Sequence, residues 1–414
     1  MQQAEYRIQQ RRAATKNKQW ERLLFLYSFL MAFPSVLILG QNASVLVFGA
    51  IVLFLLQYSK NSLLGLKKPT QWLVVLFALG SILSVLNIPP EAASNATDRA
   101  ISVLPNYIYW CILIVVMVAQ RRLINWKVVY KAVFWGVMMT VLYYFFFQHI
   151  LESLPFFNAM TPNAFAFLTI CFTPMAVHHL KSQKGRIWAT IFFTLLVFAL
   201  LIDGRRAGMV LVFLSGIGVL YADRINWKRI LLAAALIPFA MALFYTKQVE
   251  ALVFQSSERI HEMIYQSNKI QKEDRSYLTR VAMVKKGLAI FEQYPYNGIG
   301  LNNFTNISVD FDKSFEGAKY VVNKADVQRT SAHNSYINVL AEGGLLLFIP
   351  LVLLLALNII HFIRHYNTIQ DYLPVYLGLV GMSIHLYFIS AIVNVFAWFL
   401  IGLACAATSS FRKR

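Results

Sequence analysis

The sequence predicts an all-α integral membrane protein of about twelve transmembrane helices with one large, mostly helical loop on the outer side. Three observations predict it. Of 414 residues, 58% are hydrophobic and 14% charged, against roughly 25% charged in a soluble domain. The apolar residues gather in runs that approach the about 20 residues a span needs, fewer where helices bury one another. The loops between the runs alternate between basic and almost uncharged.

The chain opens with "MQQAEYRIQQRRAATKNKQW". This stretch is basic and polar, and the run behind it lacks a small-residue cleavage site, so residues 1–21 read as a cytoplasmic tail before a retained span. Nine spans follow within 22–246, near 22–40, 43–57, 71–88, 104–120, 126–148, 163–180, 187–202, 207–221 and 229–246. A hydrophilic loop occupies 247–343. Three more spans fill 344–408, near 344–363, 372–390 and 391–408, the last two divided only by a polar step at Ser390 and Asn394. Residues 409–414 form a second short tail.

One series of loops carries Arg7, Arg11, Arg12, Lys16, Lys18 and Arg22, then Lys60, Lys67 and Lys68, then Arg121, Arg122 and Lys127. It continues through Lys181, Lys184 and Arg186, Arg224, Lys228 and Arg229, and Arg364, to Arg412, Lys413 and Arg414. The intervening short loops are nearly bare of Lys and Arg. The positive-inside bias then places both termini in the cytoplasm, which requires an even number of spans. This placement also accounts for the formal charge of +19. No basic face interleaved with aromatics suggests a nucleic-acid partner. Cys111, Cys171 and Cys405 all lie in apolar runs, so neither a disulfide framework nor a Cys-based metal site is expected.

Two features stand out on the far side. "DGRRAG" places Arg205 and Arg206 in a turn that the orientation bias would leave uncharged. The long loop, in which basic and acidic residues nearly balance, closes on "SAHNSYINVLAEGGLLLF". A loop of that length is functional or disordered more often than idle. Tyr277, Val281, Val284, Leu288 and Phe291 recur at steps of four and three, predicting an amphipathic helix, and "YPYNGIG" ends it with turn residues.

The outer face has no ATP or nucleotide sugars, so chemistry there must draw on a donor already in the membrane. A lipid-linked pyrophosphate sugar fits, because fixed cations can stabilise the departing diphosphate. Arg suits that task, being always charged and able to grip phosphate oxygens in a planar fork. A His with pKa near neutrality suits removal of a proton from an attacking sugar hydroxyl. His333 beside Arg205, Arg206 and Arg280 is the minimum kit for metal-free glycosyl transfer.

Each piece has a plainer counterpart. His333 could cap or hydrogen-bond a helix end, and Asn334 could be a helix cap. Arg205 and Arg206 could snorkel to headgroups. Arg280, Lys285 and Lys286 could form a solvated face. His261 reads as solvent-facing, and His385, inside a span, as either functional or a packing residue. "VDFDK", with Asp310 and Asp312, has no nucleotide-sugar role outside the cell, and "GIG" at 298–300 lacks a dinucleotide-site context. No His/Asp/Glu cluster points to a metal, and no cofactor is expected.

The residues "HNSYINVLAEGG", with His333, Asn334, Tyr336, Leu340, Glu342 and Gly343, resemble the HN-x-Y/F-x-x-x-L-x-E-x-G signature of the O-antigen ligase/polymerase superfamily. "TRVAMVKKGLAIFEQYPYNGIGLNNF" is similar to that family's segment from an Arg to P-x-x-G-x-G-x-x-x-F, through Arg280, Pro295, Gly298, Gly300 and Phe304. "DGRRAG" resembles its outer-turn Arg motif. The resemblance covers roughly 203–345, and departs from the family at Val284, where many members carry Trp.

It implies a GT-C-like, metal-independent glycosyltransferase of the bacterial inner membrane, working on the periplasmic face. The donor would be a glycan on undecaprenyl diphosphate. The acceptor would be lipid A-core for a ligase or another lipid-linked glycan for a polymerase, the latter with a chain-length regulator as a partner. His333 would activate the acceptor hydroxyl, while Arg205 or Arg206 with Arg280 would hold the pyrophosphate. Asn334, Tyr336, Glu342 and Lys285 would support them. A transporter or lipid-linked-oligosaccharide flippase is the reading from another class, and it fits less well: every Asp and Glu lies at a span end or in a loop, whereas ion-coupled transporters bury carboxylates at midplane depth.

Overall fold

The structure, a computed structural model, describes residues 18–38, 41–58, 69–90, 94–151, 153–154, 156–202, 206–221, 275–307, 309 and 331–411. They are overwhelmingly helical. In chain order the main helices are α1 (18–32), α2 (Ala43–Tyr58), α3 (Pro69–Leu86), α4 (Ala96–Ala119), α5 (Trp126–Leu142) and α6 (Pro162–Lys184). There follow α7 (Arg186–Ile202), α8 (Arg206–Tyr221), α9 (Arg275–Gln293), α10 (Ser335–His365), α11 (Leu373–His385) and α12 (Val395–Phe411). A two-residue antiparallel pair, β1 (Leu37–Ile38) with β2 (Gln41–Asn42), separates α1 from α2.

Among the described residues five helices are long and apolar enough to cross a membrane: α3, α4, α5 with its continuation to Leu151, α6 and α10. Shorter apolar helices lie within α2, α7, α8 and α12. The expected span near 229–246 falls outside the described residues, as do 247–274 and 310–330 of the expected loop, with His261, Asp310 and Asp312.

The expected first span, 22–40, ends early. Phe33 makes the last helical bond, to the Phe29 carbonyl at 2.8 Å. Pro34 then excludes the helical conformation from the residue before it and offers no N–H of its own. α4 begins at Ala96, well before the expected 104. The polar step between the last two spans is a break of nine residues, 386–394, between α11 and α12.

The chain divides into two compact units. The first comprises Met1–Ser81, Leu104–Leu220 and Ile349–Arg414. At its centre lies α6, buried without interruption from Phe165 to Val177 and packed on α5, α7 and α11. A helix apolar on all sides belongs in such a position. Its ends are set by Thr161, whose side chain accepts from the Ala164 N–H at 3.2 Å, by Pro162 in the first turn, and by Gly185 at φ 87°. Glycine admits close contact: a methyl on Gly378 of α11 would strike the Cys171 carbonyl of α6, the small-residue packing common between membrane helices. On α7, Ile187, Leu195, Phe198 and Ile202 are exposed, as suits a surface solvated by lipid. The second unit comprises Ile82–Val103 and Tyr221–Phe348, and holds the candidate site.

Candidate active site

The second unit is organised by one apolar cluster. Leu278, Ala282, Met283 and Ile290 of α9 are fully buried against Ile299, Phe304, Ile307, Val309, Ala332 and Ala341. The face that α9 buries is therefore the neighbour of the expected stripe. Tyr277 and Leu288 are 41% and 42% exposed. Close approach decides the matter: a methyl on Gly287 would collide with Ile337 of α10, so the small residues of α9 must face inward. Hydrophobic periodicity weighs greasiness and cannot sense that requirement.

α10 is two helices in one. Gly344, at φ 57° and ψ −158°, breaks it. A break orphans backbone groups on both sides, and each needs a partner when buried. The turn after α9 supplies them. Ile299 and Gly300 donate to the carbonyls of Ala341 and Glu342 at 3.1 and 3.0 Å, while Leu345 and Leu346 donate to those of Pro295 and Tyr296 at 2.8 and 3.2 Å. The Ser84 hydroxyl also donates to the Glu342 carbonyl at 2.7 Å. Gly298 sits at φ 67° with the Glu342 backbone where a Cβ would be, and Gly344 lies equally close to the Tyr296 carbonyl. The spacing of the two sequence motifs is the spacing of this clasp.

Side chains lock it. Glu342 is buried, and its Oε1 accepts from the Phe304 N–H at 3.1 Å. The Asn302 backbone and the Asn338 side chain also bond it, with the charge of Arg99 nearby. Lys286 is 1% exposed and donates to the Phe304 carbonyl at 2.7 Å, its ammonium 4.9 Å from the ring centre. It is thus no part of a solvated face, whereas Arg280 is exposed and Lys285 half-buried.

Arg99 is the functional-site neighbour that sequence reasoning missed. Its guanidinium donates to Asn306 Oδ1 and, at 3.2 Å, to Thr305 Oγ1. Asn303 is buried and donates to the Ala96 carbonyl at 3.0 Å. The loop 302–306 is thereby tied to the start of α4. A signal was available: a lone Arg in "EAASNATDRA", on the side the orientation bias leaves uncharged.

His333 stands apart. It occupies the left-handed region at φ 49°, uncommon for a residue with a side chain though His is among those enriched there. Its ring is half-buried, and among the described residues no hydrogen bond holds it. Burial first, and then the Arg280 charge, push its pKa below the usual 6.5, so the ring is neutral at pH 7. Next to it Asn334 is buried, and its Oδ1 accepts from the N–H groups of Tyr336 and Ile337 at 3.0 and 3.1 Å. Asn334 is the N-cap of α10. Tyr336 follows in the first turn, half-buried.

Of the expected cations, the structure brings Arg280 within electrostatic reach of His333. Arg206 opens α8 in the first unit, and Arg205 lies outside the described residues. Among the described residues no three His, Cys, Asp or Glu side chains cluster as a metal site would. A neutral imidazole beside a guanidinium can take a proton while an anion forms nearby.

Fold and site together define a helical membrane protein with a half-buried histidine, in electrostatic reach of an arginine, on a glycine-clasped module. A family described as O-antigen ligase has a model that matches residues 191–352, less than half of the chain. The match encloses all three motifs and supports the O-antigen ligase/polymerase superfamily of membrane glycosyltransferase-type enzymes. No curated protein matches the chain.

Proposed function

We propose that the protein transfers a glycan from undecaprenyl diphosphate to an acceptor hydroxyl at the periplasmic face of the bacterial inner membrane, without a metal. In this reading the chain crosses twelve times with both termini in the cytoplasm, and residues 247–343 form the outer loop. The observation that carries the reading is His333, conformationally strained, half-buried and neutral beside Arg280. Strain of this kind persists where the surroundings enforce it, and clusters at functional sites.

The imidazole of His333 accepts the proton of the acceptor hydroxyl. The freed oxygen attacks the anomeric carbon, and a new glycosidic C–O bond forms as the bond to the diphosphate breaks. The electron pair leaves on the diphosphate, whose charge Arg280, with Arg205 or Arg206, stabilises. In this reading Lys285 and Tyr336 have supporting roles. Ligase and polymerase share all of these steps and differ in the acceptor, lipid A-core or a second lipid-linked glycan; we favour the ligase.

The test uses purified full-length protein with a lipid-diphosphate glycan and each acceptor in turn. Turnover is expected in the presence of EDTA. Loss of turnover on chelation would overturn the metal-free mechanism, and product from the lipid-linked acceptor alone would make the protein a polymerase.

A further inference from the structure

We infer that the first unit contains a binding site for uncharged sugar residues, in a cavity of about 310 Å³ separate from the His333 module's own residues. It is bounded by Ser35, Asn106, Tyr109, Asn158 and Asn394 among others, and none of its fourteen lining residues is charged. This inference rests on the glycosyltransferase reading and names where that enzyme would hold the sugar portion of a substrate.

Composition selects the ligand. A diphosphate placed here would lose water with no countercharge to replace it, which is strongly unfavourable. Asn106 and Asn158 are exposed and Asn394 half-buried, so an apolar chain seated over them would strip their water without replacing it, at a cost of about 1–3 kcal/mol for each group it buried. A polyhydroxyl ligand meets neither obstacle. Among the described residues no hydrogen bond engages the Asn106 or Asn158 carboxamides. Asn394 uses its Nδ2 on the Ala391 carbonyl at 3.1 Å, which leaves its Oδ1 to accept. The Tyr109 hydroxyl pairs with that of Tyr27 at 2.9 Å, and the two together retain one O–H to donate. Donors and acceptors both face the cavity, as alternating sugar hydroxyls require.

The walls are built in advance. Residues 35–37 pair antiparallel with 156–158, through Leu37 N–H to the Phe156 carbonyl at 2.8 Å and Asn158 N–H to the Ser35 carbonyl at 2.9 Å. The Tyr143 hydroxyl donates to the Asn158 carbonyl at 2.9 Å. Trp110 stacks on Trp398 at 5.1 Å, and Trp398 Nε1 donates to the Ile392 carbonyl at 2.7 Å. A cavity held this way spends little of a ligand's binding energy on ordering the protein. Its volume stands at the lower end for small-molecule sites. The lining comes from the segments just after α1 and just before α6, from the starts of α2, α6 and α12, and from the middle of α4, which supplies Asn106, Tyr109 and Trp110. All but α4 contribute at the ends that the charge bias assigns to the outer face.

The experiment places a cysteine at the rim. The three natural cysteines are buried, so the unmodified protein serves as the labelling blank. Asn158→Cys, with Asn106→Cys as a second variant, is labelled with uncharged N-ethylmaleimide in the full-length protein. The rate is measured with glucose, galactose, rhamnose or N-acetylglucosamine, or with inorganic pyrophosphate. Protection by at least one sugar and none by pyrophosphate is expected. Protection by pyrophosphate, or by no sugar at either position, would overturn the site. In the transfer assay the labelled variants should show a KM raised roughly tenfold or more, the worth of one or two lost hydrogen bonds, with kcat retained. A rise for the acceptor assigns the sugar to the acceptor, and a rise for the donor assigns it to the donor. Unchanged KM for both in an active enzyme refutes the proposal. An unlabelled protein with no transferase activity would instead sink the functional reading, while the protection data would still judge the cavity.

Discussion

The residues of the HN-x-Y…E-x-G and P-x-x-G-x-G segments fall into two groups that the structure treats differently. Asn334, Glu342, Gly298, Gly300 and Phe304 are buried or closely packed, and each has a backbone partner or a close approach that explains its identity. His333 and Arg280 are half-buried and exposed, and no packing need accounts for either. The first group builds a platform and the second is displayed on it. Position in a motif therefore does not imply participation in chemistry. Substitutions in the two groups should separate activity from stability.

The largest separation is expected at His333. His333→Ala should lower turnover by about 10²–10⁴-fold, the usual worth of a positioned base, while the thermal unfolding midpoint in detergent stays at the wild-type value. Ala keeps the Cβ and with it the left-handed strain, and the ring that is removed makes no hydrogen bond among the described residues, so little stability is lost. Retained turnover in a folded variant would move His333 into the structural group and remove the base from the mechanism.

Arg280 comes next, with two readouts. Loss of a charge-assisted contact to phosphate costs about 1.5–3 kcal/mol, so Arg280→Gln should reduce kcat/KM for the lipid-diphosphate donor by roughly ten- to a hundredfold. The pH profile gives an independent check. His333 must be neutral to act as a base, so activity falls as pH drops through its pKa, which lies below 6.5. The Arg280 charge is one cause of that depression, and its removal raises the pKa. The acid limb should then move to higher pH yet stay below 6.5, because burial, the larger cause, remains. An unmoved limb would show that the two side chains do not sense one another.

In the platform group, Glu342→Ala should do the reverse. It leaves the Phe304 N–H without its acceptor and opens the bond to Asn338, at a cost of about 1–3 kcal/mol. Unfolding should shift to lower temperature or denaturant, and activity should decline in step with the folded fraction. A catalytic loss much larger than the stability loss would transfer Glu342 to the displayed group.

How much of this division was legible in the sequence follows from what each residue depends on. Apolar runs and turn residues are local signals, and they located α2, α3, α5 to α8, α11 and α12 to within a few residues of their observed ends, apart from the early end of the last span before the 386–394 break. The inner face of α9 lies one position off the expected stripe, because Gly287 faces inward for its close approach to Ile337 and Ala282 is buried in the same cluster. The clasp between 295–300 and 341–346 joins segments some forty residues apart, and no local pattern encodes that pairing. For Arg99 the charge bias marks the residue but not its partners, since Thr305 and Asn306 are separated from it by 206 and 207 positions. His333, in contrast, stands out as a candidate because a half-buried ring in the left-handed region is costly to place, whereas the exposed Arg280 enters only through its position in the motif.

The finest test compares neighbours. Asn334 adjoins His333 in sequence, and a family signature alone would rank the two equally. Asn334 has a complete structural account: its Oδ1 takes two of the first N–H groups of α10 at 3.0 and 3.1 Å. Removing a helix N-cap of this type typically costs about 1 kcal/mol. Asn334→Ala should therefore lower the unfolding midpoint slightly, and Asn334→Asp or Asn334→Ser, which keep an acceptor oxygen, should restore it. Activity should track that recovery across the series, since the cap acts by holding the left-handed turn that presents His333. If Asn334→Ser regained stability while turnover stayed lost, the carboxamide would have to touch substrate, and the boundary between platform and displayed residues would move one position along the chain.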